Sequence, residues 1–263
     1  MKIQYILFFI LFLILIFLGA YLSYQYYAPP SYRQPFHMKQ DSEDTLRIAY
    51  IGDSWAYWHN KHKCQIAQLL KNTLHRPVIV HSYGICGLTS KEIYENMFEN
   101  NDFIDFLTKR RYEYCYVSAG INDTHKKMGI TYYQQSINNI IQLMLTNNIH
   151  PIIQEIPDYD IKKIDDLQKP YKRIIRRIYM FFNNIPIDCK QKFRDALDNM
   201  IREKGYQNKV GIIRYKTWNN DYRNDLNHLY SHDHLHLNEN GYAKLDSAIA
   251  NEIMTTYKCK KEH

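Results

Sequence analysis

The sequence predicts an α/β fold, a five-stranded parallel sheet covered by helices on both faces and preceded by one N-terminal apolar helix. Three observations predict it. Five short apolar runs are each too short for a typical helix and stop at glycine or polar residues. Segments with helical spacing separate them, so the order reads β-α-β-α-β-α-β-α-β-α. No internal repeat or second core is visible, and 263 residues, less the N-terminal apolar segment, make one domain of ordinary size.

Ile3 to Leu22 is nearly unbroken apolar sequence, with Gln4 its only polar side chain before Tyr21, tyrosine aside. About 20 residues at 1.5 Å rise cover the roughly 30 Å hydrocarbon core. A secretory signal has a shorter apolar region and a small-x-small cleavage site, which Leu18-Gly19-Ala20 matches poorly. The segment 1–27 therefore reads as an uncleaved signal anchor. A cleaved signal peptide is the alternative and implies a secreted protein. Lys2 precedes the run and no basic residue follows before Arg33. That asymmetry puts the N-terminus in the cytoplasm and the domain in the periplasm or outside the cell. Pro29, Pro30 and Pro35 mark 28–44 as an extended linker, and the domain occupies 45–263.

Leu46 to Ile51 is the first strand, closed by Gly52. Trp55 to Leu74 carries apolar residues at helical spacing. Pro77 to His81 is the second strand, followed by the glycine-containing turn SYGICGLTS. Thr89 or Ser90 caps a helix over 91–98. Tyr112 to Ala119 is the third strand and stops at Gly120-Ile121-Asn122-Asp123. An amphipathic helix over 132–146 leads to the strand Pro151 to Ile156. The stretch 158–206 is helical in pattern, with breaks near Pro170 and Pro186. Val210 to Tyr215 is the fifth strand. A polar loop over 216–231 leads to Asp233-His234-Leu235-His236, and Asn238 starts a final helix running to about Tyr257.

The net charge is +7, but both signs are interspersed. The densest basic cluster, KPYKRIIRR from Lys169 to Arg177, also carries apolar residues. It reads as one face of an amphipathic helix and not as a nucleic-acid site. The five cysteines include no CxxC pair, which argues against a zinc ribbon or a thioredoxin-like site. Cys115 sits in an apolar run and reads as a small core residue.

Four polar features fall at strand ends. Ser54 follows the first strand, Gly87 lies after the second, Asn122 follows the third, and Asp233 and His236 follow the fifth. Ligands bind outside the carboxyl ends of such strands, and in a flavodoxin-like order strands one and three adjoin at the switch point. Ser54 and Asn122 then face one crevice. A serine hydroxyl needs a base to become a nucleophile, and His236 can be that base. Asp233 can hold the imidazole in one tautomer, since residue i+3 returns alongside residue i in a turn. The backbone N–H of Ser54, the backbone N–H of Gly87 and the side-chain amide of Asn122 are candidate donors to an oxyanion. The competing reading of Ser54 alone is a helix cap.

The ordered set resembles the SGNH hydrolases of the GDSL esterase/lipase group. IGDSW, GLTS, GIND and DHLH-LNENGY match its four blocks, over about Leu46 to Ile253. The resemblance implies a three-layer α/β/α fold, ester or thioester hydrolysis, and no metal or organic cofactor. It implies Ser54 as nucleophile, Asp233 and His236 as its partners, and Gly87 and Asn122 with Ser54 at the oxyanion hole. Gly84 competes with Gly87 for the second block, and Gly87 is preferred because Thr89-Ser90 follow it. Trp55-Ala56 depart from the usual small aliphatic and threonine. Trp55 reads as helix-start packing, with a role in shaping an acyl or sugar site as the alternative. Asp53 and Asp123 read as structural, bonding loop N–H groups. His228, His232, His234 and His236 crowd with Asp225 and Asp233, but no HExxH pattern is present, so a zinc site is not expected.

The expected activity is a serine esterase acting on a small acyl ester, such as O-acetyl groups on an envelope carbohydrate. Two rivals use the same residues differently. One is an acyltransferase with a sugar hydroxyl in place of water. The other is an inactive carbohydrate-binding or assembly factor, against which the intact residue set argues. The expected partners are the ester substrate and the membrane, with no nucleic acid.

Overall fold

In a computed structural model, which describes residues 2–40, 44–166, 168–182 and 184–261, the five apolar runs pair into one sheet. The strands are Leu46–Gly52 (β1), Val78–Gly84 (β2), Tyr114–Ser118 (β3), His150–Gln154 (β4) and Gly211–Ile213 (β5). Their order is β2-β1-β3-β4-β5, and every pairing is parallel. This is the flavodoxin-like order expected from the sequence. The central strand β3 is buried at every residue, as a parallel strand covered on both faces must be.

Twelve α-helices lie among the described residues. The apolar N-terminal segment is Lys2–Tyr27 (α1). Within Gln4–Tyr27 an 18-residue stretch has a mean hydropathy of 2.8 and none of it is buried, so the helix is long and apolar enough to cross a membrane. The others are Ser54–His59 (α2), Ile66–Leu74 (α3), Ser90–Glu99 (α4), Asn101–Thr108 (α5), Ile121–Lys126 (α6) and Ile130–Thr146 (α7). Then come Ile161–Asp166 (α8), Pro170–Phe182 (α9), Lys190–Glu203 (α10), Tyr222–Leu229 (α11) and Glu239–Lys261 (α12). Helix α7 packs with α4 and α10 on one side of the sheet, and α12 packs with α3 and α11 on the other.

Two expectations need correction. The helical stretch after Ser54 is two helices, broken over 60–65, where the Gln65 N–H donates to Asp246 Oδ2 at 2.7 Å. Asn122 follows β3, as expected, and sits in the first turn of α6. The polar segment 216–231 contains α11, because Asp221 caps it by accepting from Arg223 N and Asn224 N.

Residues 28–40 carry no helix or strand, yet they are bound to the domain. Arg33 N donates to the Tyr94 hydroxyl at 2.8 Å, Phe36 packs edge-on against Phe98, and Met38 N donates to Asn147 Oδ1 at 2.7 Å. Met38 itself is buried. Residues 41–43 of the expected linker, and positions 1, 262 and 263 at the ends, lie outside the described residues.

Candidate active site

Strand β1 delivers Ser54 to the carboxyl end of the sheet. Gly52 makes this possible. Its φ is +152°, and a Cβ there would sit 2.1 Å from the Ser118 carbonyl oxygen, so only glycine lets β1 turn this close to β3. Asp53 then caps α2, accepting the Trp55 N–H at 3.0 Å. Ser54 is the first residue of that helix and remains partly exposed.

The loop before α12 brings His236 to Ser54. His236 Nε2 lies 2.8 Å from Ser54 Oγ, and His236 Nδ1 lies 2.6 Å from Asp233 Oδ2. A carboxylate only accepts, so Nδ1 carries the proton and Nε2 is free to accept from the serine hydroxyl. Asp233 Oδ1 accepts the backbone N–H groups of Leu235 and His236, both at 3.0 Å. Burial pushes the Asp233 carboxyl up, but these bonds and the His236 side chain outweigh it and hold the group below its ordinary value. The loop is closed at its base: Ser231 N donates to His236 O at 2.8 Å, and Tyr230 bridges to Leu237. Asn238 caps α12 by accepting Gly241 N at 3.0 Å and donates its amide to the His228 and Tyr230 carbonyls.

Gly87 and Asn122 line the same cleft, of about 280 Å³, as Ser54 and His236. Gly87 has a φ of +81°. Gly84 does not line the cleft and serves instead as the seat of α2, since a Cβ there would meet Tyr57 N at 2.2 Å. The Asn122 amide donates to Leu88 O at 2.9 Å and to Asp53 Oδ2 at 3.2 Å. Both of its N–H bonds therefore have acceptors, and donation to an incoming oxyanion draws on the longer one, toward Asp53. Burial pushes the Asp53 carboxyl up to about 7, against the lowering effect of the Trp55 N–H. Asp123 is buried too and pushed up to about 6, although Ser90 donates to it from both N and Oγ. Those two bonds tie the start of α4, which follows the Gly87 turn, to the start of α6, which carries Asn122.

Other cleft residues were not anticipated. Trp58, four residues after Ser54 on α2, is 41% exposed and its ring lies 6.2 Å from that of His236. The i, i+4 spacing on one helix was the available signal. Trp55 is fully buried and packs edge-on against Trp218, away from the cleft lining. His125 also lines the cleft. Burial pushes it down to about 4, and its buried Nδ1 has no protein partner. A neutral imidazole there is available to bond an uncharged polar group of a ligand.

The remaining histidines of the last block stand apart from Ser54. His234 has a φ of +59° and its Nδ1 lies 2.7 Å from Lys163 Nζ. Among the described residues, the group close enough to share a metal ion is His59, Cys64 and Asp246. These groups already satisfy one another. His59 Nε2 is 2.8 Å from Asp246 Oδ1, and burial and the Asp246 charge push the Cys64 thiol up to about 12. A metal binds the thiolate, which this setting disfavours. The cluster's evident work is to tie α2, and so Ser54, to α12. Cys64, Cys86, Cys115 and Cys189 are free thiols.

The sequence profile of the GDSL-like lipase/acylhydrolase family matches residues 50–244. No curated protein sequence matches the chain. Solved structures share its fold at low identity. A lipase/acylhydrolase from Enterococcus faecalis is 16% identical with a TM-score of 0.51, over 80% of this chain and 96% of its own. An acetyl xylan esterase, AlAXEase, is 13% identical with a TM-score of 0.53, over 78% and 98%. A point variant of an acetyl-xylooligosaccharide esterase from Geobacillus is 14% identical with a TM-score of 0.53, over 79% and 94%.

Proposed function

The chain belongs to the GDSL-like lipase/acylhydrolase family and is an ester-bond hydrolase, and on that premise we propose that Ser54, His236 and Asp233 form its catalytic triad. The observation that carries this reading is the unbroken relay of contacts, Ser54 Oγ to His236 Nε2 at 2.8 Å and His236 Nδ1 to Asp233 Oδ2 at 2.6 Å. Ser54 Oγ attacks the ester carbonyl carbon while its proton passes to His236 Nε2. The Oγ–C bond forms and the carbonyl π-pair moves onto oxygen. The backbone N–H groups of Ser54 and Gly87 and the Asn122 amide hold that oxyanion. Collapse breaks the bond to the alcohol, which leaves with the proton from His236. Water repeats the sequence on the acyl-serine: His236 takes its proton, the acid departs, and Ser54 regains its hydrogen. Asp233 stays ionised and stabilises the imidazolium in both halves.

The proposed substrate is a small acyl ester, an O-acetyl group on an envelope carbohydrate. A cleft of about 280 Å³ suits a short acyl chain, and polar His125 and Gln168 among its lining residues suit an oxygen-rich alcohol. The proposed location is the outer face of a membrane that α1 crosses, with 28–44 as the connection and 45–263 as the catalytic domain. The test of the mechanism is Ser54→Ala. It is expected to lose turnover of an activated acetyl ester and covalent labelling by a fluorophosphonate while keeping the wild-type circular dichroism spectrum. Turnover at the wild-type rate by that variant would overturn the assignment.

A further inference from the structure

Helix α9 carries its amphipathic pattern the wrong way round for a helix of a water-soluble surface. Tyr171, Ile174, Ile175, Ile178, Phe181 and Phe182 recur at helical spacing and fall on one side at 100° per residue. That side faces away from the domain: all six are exposed, Phe181 at 82% and Phe182 at 79%. The opposite side faces inward. Met180 is buried there, Arg176 pairs with Asp165 at 2.5 Å, and Arg173 pairs with Asp166 at 3.3 Å. Exposed Lys172 and Arg177 border the apolar stripe at its two edges.

What lies beside this helix says what covers it. Tyr179 of α9 stacks on Tyr27, the last residue of α1, with ring centroids 4.4 Å apart. Tyrosines at the end of a spanning helix sit at the headgroup level. The same end of α1 is held against the domain by Lys91, whose ammonium donates to the carbonyls of Gln25 and Ala28. The stripe of α9 therefore begins at the depth where α1 leaves the hydrocarbon. An aromatic and aliphatic stripe edged by lysine and arginine is the chemistry that lies in the interface of a bilayer containing anionic lipid.

We propose that α9 is a membrane-docking helix, with Ile174, Ile178, Phe181 and their neighbours seated in the acyl boundary of an anionic bilayer beside α1. The depth assigned to α9 rests on α1 being retained as an anchor. The proposal goes beyond the esterase reading and does not depend on it. Docking here also sets the cleft at the bilayer surface, because Ile164 and Gln168, which lead into α9, line it.

The test uses the full chain in phosphatidylglycerol–phosphatidylcholine vesicles whose acyl chains are brominated near the glycerol end. Phe181→Trp places a reporter on the stripe, and Lys209→Trp places one on an exposed site elsewhere. Each is read as added emission over the parent protein. The added emission of Phe181→Trp is expected to shift blue and to lose most of its intensity in brominated vesicles, at the shallow depth of an interfacial helix. Lys209→Trp is expected to stay bright. Retention after a carbonate wash reports on α1 separately. A retained chain with Phe181→Trp unquenched overturns the docking helix and leaves the anchor standing. A chain found shortened between Ala20 and Ala28 overturns the anchor. Quenching of that shortened Phe181→Trp chain on added vesicles still supports α9 as a docking surface, and no quenching overturns it.

Discussion

Asn122 serves two masters at the scale of single residues. Its proposed role is to stabilise an oxyanion, yet its amide is already bonded to Leu88 O and Asp53 Oδ2. These bonds fix the amide in advance, and a preorganised donor is worth more than a mobile one. Asn122→Ala is expected to lower kcat by roughly 10²–10³-fold, with a smaller change in KM. Steady-state kinetics on an acetyl ester check this. A raised KM with kcat unchanged would make Asn122 a ground-state binding residue. That Ser54, Asn122 and His236 would meet in one cleft, with Asp233 beside His236, was legible in the sequence because each follows a strand at the same end of the sheet. The engagement of Asn122 by Asp53 was not, since it depends on two loops meeting across strands β1 and β3. Trp58 was equally hidden, because one bulky residue after a serine reads the same whether it packs inward, as Trp55 does, or outward.

The loop holding His236, the proposed base, and the helix after it are joined at Asn238. Asn238 accepts Gly241 N as the cap of α12 and donates to the carbonyls of His228 and Tyr230 below the Asp233–His236 turn. Asn238→Ala is expected to cost about 1 kcal/mol through the lost cap and to reduce kcat as His236 loses its fixed distance from Ser54. Asn238→Ser separates the two effects. Serine caps a helix but cannot reach both carbonyls, so thermal stability should return while kcat stays low. Recovery of both together would show that the cap alone positions the base. At this scale the sequence was read well where a cap or glycine marks a boundary, as at Thr89 before α4. It was misread over 216–231, where polar composition hid the cap Asp221 and the apolar Leu226 and Leu229 three residues apart.

Across the whole molecule, buried carboxyls make stability depend on pH. Asp53 titrates near 7 when folded against an ordinary value of 3.8, and Asp123 near 6. Both are raised, so the folded state binds protons more tightly than the unfolded chain. Their contribution to stability is full below pH 4 and falls as pH rises, with a slope of at most about 1.4 kcal/mol per pH unit for each group. Between pH 6 and 7 the decline belongs mainly to Asp53. The unfolding temperature of the detergent-solubilised full chain, read by tryptophan fluorescence, is expected to fall until about pH 7. For Asp53→Asn it should level off near pH 6, and a variant that follows the wild-type curve would remove Asp53 as the source. The strand order was legible at this scale because five apolar runs alternating with helices leave few topologies. The outward stripe of α9 was not, because periodicity reports that a helix has an apolar side and not which way that side points.

The bound segment 28–40 has a mechanical meaning. Left free, a chain from residue 28 to 44 extends at about 3.4 Å per residue and gives the domain a leash of roughly 50 Å. Fastened at Arg33, Phe36 and Met38, the stretch 28–40 has no slack to pay out. In a chain anchored by α1, Ser54, the proposed nucleophile, then patrols a thin shell at the membrane and finds esters by lateral drift in two dimensions. A soluble ester must come to it, while one fixed near the same surface shares its plane and meets it at a much higher local concentration.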